Sequence, residues 1–114
     1  MKKIMMIDDN DELLTSINHA LKGAIITEAC HSAMEAVITI GMQQPDILLL
    51  DHQLSDKNDD GFEVVEWIKN NDLKIEIYST TKNDEAKKVY AAMSIGWVDK
   101  NNLAVLKKIV ADAQ

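Results

Sequence analysis

Asp8 and Asp9 stand side by side, and a third aspartate, Asp51, follows the apolar run Ile47 to Leu50. Gathering three like charges in one place is unfavourable. Either one carboxyl keeps a proton, or a cation neutralises the cluster. Hard oxygen donors favour magnesium, which keeps several waters and borrows oxygens from a phosphate. A magnesium–carboxylate cleft with one aspartate free to react suits phosphoryl transfer. The carboxylate attacks phosphorus to give an acyl phosphate, and the metal offsets charge on the phosphoryl oxygens. Most of the rate would come from positioning and electrostatics. The same chemistry asks for a positive group and a hydroxyl at the phosphoryl oxygens. Lys100 can supply the first, and one of Ser79, Thr80 and Thr81 the second. Taken singly, each has an ordinary explanation: acids cap helices, surface lysines are solvated, and hydroxyls at strand ends satisfy loop backbone. Their combination favours the chemical reading.

These residues can act together only if the chain brings strand ends to a common edge. Residues 3–8 form a short apolar run ending in acid, so Asp8 and Asp9 close a first strand. Residues 11–22 show helical periodicity, with Leu13, Leu14, Ile17 and Leu21 on one face, Asn10 or Asp11 as cap, and Gly23 ending the helix in a left-handed turn. Residues 24–29 read as a second strand. Ser32 and Glu35 fit a capping box, and Met34, Val37, Ile38 and Gly41 are expected to line the inward face of the next helix. Pro45 stops it. Residues 46–51 form the third strand, whose unalternated apolar run suits a central position covered on both faces. A polar loop from His52 to Asp60 leads to a helix over 61–70, with Phe62, Val65 and Ile68 inward. The fourth strand is 74–79. Asn83 or Asp84 then caps a helix using Ala86, Val89, Tyr90 and Met93. A very short strand at 96–98 precedes a last helix from about Asn102, with Leu103, Leu106, Ile109 and Val110 apolar.

Strand and helix alternate five times, which predicts right-handed crossovers and one parallel sheet in a three-layer α/β domain. Ligands of such sheets bind beyond the carboxyl ends of the strands, where the strand order reverses. The acids of strands one and three converge there if those strands are neighbours.

The chain's 114 residues suit one domain, read here as 1–114 without an output domain. Hydrophobic residues make up 46%, enough for a real core, and no low-complexity run suggests disorder. The net charge is −7, carried with twelve lysines and no arginine, which argues against direct nucleic-acid binding. No apolar stretch is long enough to insert into a membrane, and the N-terminal run is too short for a signal peptide. Cys30, the lone cysteine, cannot form an internal disulfide and is expected to be a buried thiol. These features predict a cytoplasmic protein. His19, His31 and His52 lack metal-ligand spacing, and the His52 side chain is expected to point away from Asp51. Met5, Met6 and Trp67 are read as packing residues.

The segments MIDDND, DILLLDHQL, IYSTT and GWVDK together resemble the receiver domains of bacterial two-component response regulators. The resemblance covers essentially the whole chain. It implies a flavodoxin-like doubly wound sheet in the order 2-1-3-4-5. It makes Asp51 the phosphoacceptor, with magnesium bound by Asp9 directly, by Asp8 mostly through water, by Asp51, and by the backbone carbonyl of Gln53. Lys100 would pair with the phosphoryl group. Ser79 is the first choice for the switch hydroxyl and Thr80 the second, while Trp97 takes the place of the aromatic residue that changes rotamer on activation. A sensor histidine kinase or phosphotransfer protein would be the donor, and a downstream protein the target. Such a domain is no enzyme beyond self-phosphorylation from small donors and autodephosphorylation.

The sequence departs from the family pattern in four places. Ser55 and Asn101 stand where proline is common, the segment before Trp97 is short, and the loop SDKNDDG is long and acidic, expected as a solvated insertion. These departures keep a second reading open: a pseudo-receiver that binds partners without switching by phosphorylation. An aspartyl phosphatase of the haloacid-dehalogenase type would want an acid where Gln53 stands. A flavin site would want a phosphate loop where Asp8 and Asp9 stand.

Overall fold

The computed structural model describes residues 1–57 and 59–114. Ten elements alternate along the chain: β1 (Ile4–Asp8), α1 (Asp11–Ala20), β2 (Ile26–Ala29), α2 (Ala33–Gln43), β3 (Ile47–Leu50), α3 (Asp60–Asn70), β4 (Glu76–Ser79), α4 (Asp84–Ala92), β5 (Gly96–Trp97) and α5 (Leu103–Asp112). Five parallel strands pair in the order β2-β1-β3-β4-β5. The expected fold is therefore present.

Alternation along the central strands sorts the apolar residues into two cores. Met5, Ile7, Leu48 and Leu50 point to one face, where Ala36 and Ile40 of α2, Val64, Val65 and Ile68 of α3, and Tyr90 of α4 cover them. Ile4, Met6, Ile47 and Leu49 point to the other, against Leu14 and Ile17 of α1 and Leu106 of α5. β1 and β3 are buried along their whole length, as unalternated runs in a doubly covered sheet must be. β4 is more exposed at its start, in line with its alternating sequence.

Side-chain caps set where four helices begin. Asn10, Ser32, Asn83 and Asn102 each accept a hydrogen bond from a backbone N–H three residues on. Glu35 Oε2 also accepts from the His31 N–H, one residue before the cap, which completes a variant of the expected box. Gly23 has φ +75°, the left-handed turn anticipated after α1. The short approach to β5 is closed by Ser94, also left-handed at φ 64°.

Several inward positions differ from the sequence expectation. In α2 the buried residues are Ala33, Ala36 and Ile40, whereas Met34 is 72% and Ile38 56% exposed. Val37 is half-buried and packs against the same core, as expected, and a methyl added at Gly41 would make ordinary contact with the Trp67 ring at 3.9 Å. Val89 and Leu103 also face outward, while Val64, not anticipated, is fully buried. The strands are shorter than their apolar runs: β2 begins at Ile26, β4 at Glu76, and β5 ends at Trp97. α3 starts one residue early, at Asp60.

Candidate functional site

The ladder carries the site residues to one edge of the sheet. Ile7 is level with Leu50, Leu50 with Ser79, and Ser79 with Trp97. The residues that follow, Asp8, Asp51, Thr80 and Val98, continue this order at the carboxyl ends. Asp51 N–H donates to the Ile7 carbonyl, Thr80 N–H to that of Leu50, and Val98 N–H to that of Ser79.

Asp8, Asp9 and Asp51 meet there, with one carboxylate oxygen from each within 4.8 Å of the others. Asp8 is buried at 1% exposure, Asp51 is 9% exposed, and Asp9 faces solvent. Asp8 Oδ1 accepts from the Asn10 N–H at 2.9 Å, and Asp51 Oδ1 accepts from the His52 N–H at 3.0 Å. Lys100 Nζ donates to Asp8 Oδ2 at 2.6 Å and lies 3.7 Å from Asp51 Oδ1. Asn101 after the lysine thus does not prevent its reaching the acids.

Three carboxylates against one ammonium leave the cleft anionic, and the titration of its groups reflects that. Burial, then the charges of Asp8 and Asp9, push the Asp51 carboxyl up to about 6 against the pull of Lys100 and the His52 N–H. Asp9 is raised by burial and by its hydrogen bond and repulsion with Asp8. Burial works against the Lys100 ammonium, but the Asp8 hydrogen bond and the surrounding carboxylates outweigh it and raise its pKa. The donor set, hard oxygens with one open flank at Asp9, fits a small divalent cation that retains water.

The three hydroxyls of β4 and its exit differ in their engagements. Ser79 Oγ accepts from the Thr81 N–H at 3.3 Å, and Thr81 Oγ1 accepts from the Asn83 N–H at 3.1 Å. Thr80 Oγ1 is buried and has no hydrogen-bond partner among the described residues. Gln53 lies exposed in the loop after Asp51. Trp97 is 43% exposed; its indole N–H donates to the Thr81 carbonyl, and the Lys87 ammonium sits 3.9 Å over its ring.

Two features escaped the sequence reading. Asp60, expected in a solvated loop, is 1% exposed and accepts from the backbone N–H groups of Leu54 and Ser55 and from Ser55 Oγ. It ties the loop after β3 to the start of α3, so this part of the acidic segment is structural; Asn58 lies outside the described residues. His52 turns away from the acids, as expected, but into a buried cluster. Its Nδ1 hydrogen-bonds Tyr90 Oη at 2.7 Å, and its ring lies 4.4 Å from that of Phe62. Gly61 makes room for this pair, since a methyl there would fall 2.0 Å from Tyr90 Oη. The only sequence trace of the arrangement is a glycine at a helix start, which by itself names no partner.

A parallel sheet in this order, with an acidic cleft beyond β1 and β3, defines a doubly wound α/β domain whose ligand site lies at the strand-order reversal. The sequence matches the family model described as the response regulator receiver domain over residues 4–111, and the chain belongs to that family. Receiver domains are signalling domains that work with histidine kinases and phosphotransfer proteins and typically bind magnesium at an acidic pocket. Among solved structures, the fold is similar to the signal receiver domain of a LuxO repressor protein from Vibrio parahaemolyticus. That match has a TM-score of 0.78 at 19% identity, covering 96% of this chain and 87% of that one. It is also similar to the chemotaxis protein CheY4 of Vibrio cholerae, with TM-score 0.74 at 22% identity over 100% and 99% of the two chains. A receiver domain of the Francisella response regulator 1452 gives TM-score 0.77 at 15% identity over 99% and 96%. No curated protein matches the sequence. No helix among the described residues is long and apolar enough to cross a membrane.

Proposed function

We propose that this receiver domain accepts a phosphoryl group on Asp51 from a histidine kinase or phosphotransfer protein, and signals by protein contact or by passing the group onward. The observation that carries this reading is the convergence of Asp8, Asp9 and Asp51 oxygens within 4.8 Å, with Lys100 bridging Asp8 and Asp51.

The Asp51 carboxylate attacks the donor's phosphorus. The bond from phosphorus to the donor histidine nitrogen breaks, that nitrogen keeps the electron pair, and Asp51 becomes an acyl phosphate. With the pKa of its carboxyl near 6, Asp51 is mostly the reactive anion at neutral pH. Lys100, already between the two buried acids, is positioned to pair with a phosphoryl oxygen. Asp8, Asp9, Asp51 and the Gln53 carbonyl would hold magnesium, which supplies positive charge to the phosphoryl oxygens. Ser79 and Trp97, level with each other on β4 and β5, are the pair proposed to relay the change to the α4–β5–α5 surface.

Acetyl phosphate with magnesium, or a histidine kinase, should add one phosphoryl mass to the protein, and Asp51→Asn should abolish the addition. A wild-type mass unchanged by either donor, with magnesium bound, would favour the pseudo-receiver reading instead.

A further inference from the structure

α2 is apolar on the side that faces solvent as well as on the side that faces the core. Met34, Ile38 and Met42 are 72%, 56% and 78% exposed. They stand four residues apart, so they form one row along the helix, roughly 12 Å long. Ala33, Ala36 and Ile40 point the other way, into the core. Beyond Met1, the other exposed large apolar residues, Leu73, Val89, Trp97 and Leu103, come one to a segment. Single apolar residues are ordinary on a protein surface, whereas three in an unbroken row mark a contact face.

Two properties of the row select its occupant. It reads the same from either end, methionine–isoleucine–methionine, with Ile38 at the middle. A two-fold axis at Ile38 lays a second α2 antiparallel on the first, with Ile38 against its own copy and Met34 against the partner's Met42. Rows of residues four apart are also the ridges that interlock when helices pack. Charge selects the same occupant. The chain is 27% charged with a net charge of −7, so two copies repel at long range. α2 carries a single charged residue, Glu35, whose carboxylate already accepts from the His31 N–H. In the antiparallel arrangement Glu35 falls level with the partner's Gly41, and the two carboxylates stay apart. A parallel pair would set them side by side.

We infer that the domain forms a symmetric dimer through the Met34–Ile38–Met42 row of α2, with the two helices antiparallel. This face is separate from the acidic cleft and from the α4–β5–α5 surface, and the inference does not depend on phosphorylation of Asp51. Three side chains from each copy bury less than the ~800 Å² per partner of a stable interface, so the dimer is weak, with a Kd on the order of 10–100 μM.

Sedimentation equilibrium of the wild type from about 5 to 500 μM should follow the mass from monomer towards dimer. Ile38→Glu sets two carboxylates on the axis and should weaken association more than about a hundredfold, leaving a monomer throughout with an unchanged melting temperature. Oxidative cross-linking reads the orientation. Ile38→Cys should cross-link to itself. Met34→Cys and Met42→Cys should cross-link when mixed and not singly, and the wild type, whose Cys30 is buried, should not cross-link. A wild type that is monomeric at 500 μM overturns the inference. So does a dimer that survives Ile38→Glu, since it would use another face. Met34→Cys cross-linking to itself overturns the antiparallel arrangement, and the inference with it.

Discussion

Replacing Asp51 with asparagine should make the metal-free protein more stable, although it removes the residue proposed to react. The wild-type carboxyl has its pKa raised from 3.8 to about 6 by burial and by Asp8 and Asp9. The folded state therefore binds the Asp51 proton more tightly than the unfolded state does. Above pH 6 both states have lost the proton, and the charge costs about 3 kcal/mol of stability at 1.36 kcal/mol per pH unit. Between pH 6 and 4 the folded state takes up the proton first, so the cost shrinks as pH falls and is gone below the unfolded pKa. Asparagine never carries the charge, and its oxygen can keep the hydrogen bond from the His52 N–H. It gives up the attraction of Lys100, 3.7 Å away. The expected net gain at pH 7.5 is about 1–3 kcal/mol, or on the order of 5–15 °C in melting temperature for a domain of this size. Urea and thermal melts of both proteins in chelator, from pH 7.5 to 4, make the measurement. The difference should be largest at pH 7.5 and vanish near pH 4. Magnesium should narrow it from the other side by stabilising the wild type through mass action, about 2.7 kcal/mol at a hundredfold excess over Kd. If the asparagine variant is less stable at pH 7.5, or the difference does not depend on pH, the acids do not repel one another as described.

Lys100→Met keeps the apolar stem but strands the buried Asp8 carboxylate, 2.6 Å from the lost ammonium. Metal-free stability should fall by about 3 kcal/mol, and magnesium should recover part of the loss in chemical denaturation. Gly61→Ala brings a methyl to 2.0 Å from Tyr90 Oη and 2.9 Å from the His52 backbone. It should destabilise the domain by about 2 kcal/mol or more, while an alanine at the equally helical Gly41, whose nearest neighbour is the Trp67 ring at 3.9 Å, should be close to neutral in the same melts.

Much of the molecule was legible from local sequence. The alternation of strands and helices was readable because hydrophobic period and length are properties of short segments. The starts of α1, α2, α4 and α5 were readable because a capping side chain binds a backbone group only three residues away. The inward face of α2 was read only in part: Val37 packs against the core, but Met34 and Ile38 face outward on a helix that is apolar nearly all round. Period alone cannot choose among its faces, and Ala33, Ala36 and Ile40 are the residues buried in the core. The loop holding Asp60 was misread as solvated because charge signals exposure only when no buried donors await it, and those of Leu54 and Ser55 do.

The sequence by itself determined that acids close the first and third strands, that hydroxyls close the fourth and that a lysine follows the fifth, since a strand's end is a local fact. Tertiary structure alone decided that Lys100 binds Asp8, that His52 meets Tyr90, and that Ser79 falls level with Leu50. Those relations depend on register between strands far apart in the chain, and a shift of one residue would turn every side chain to the opposite face.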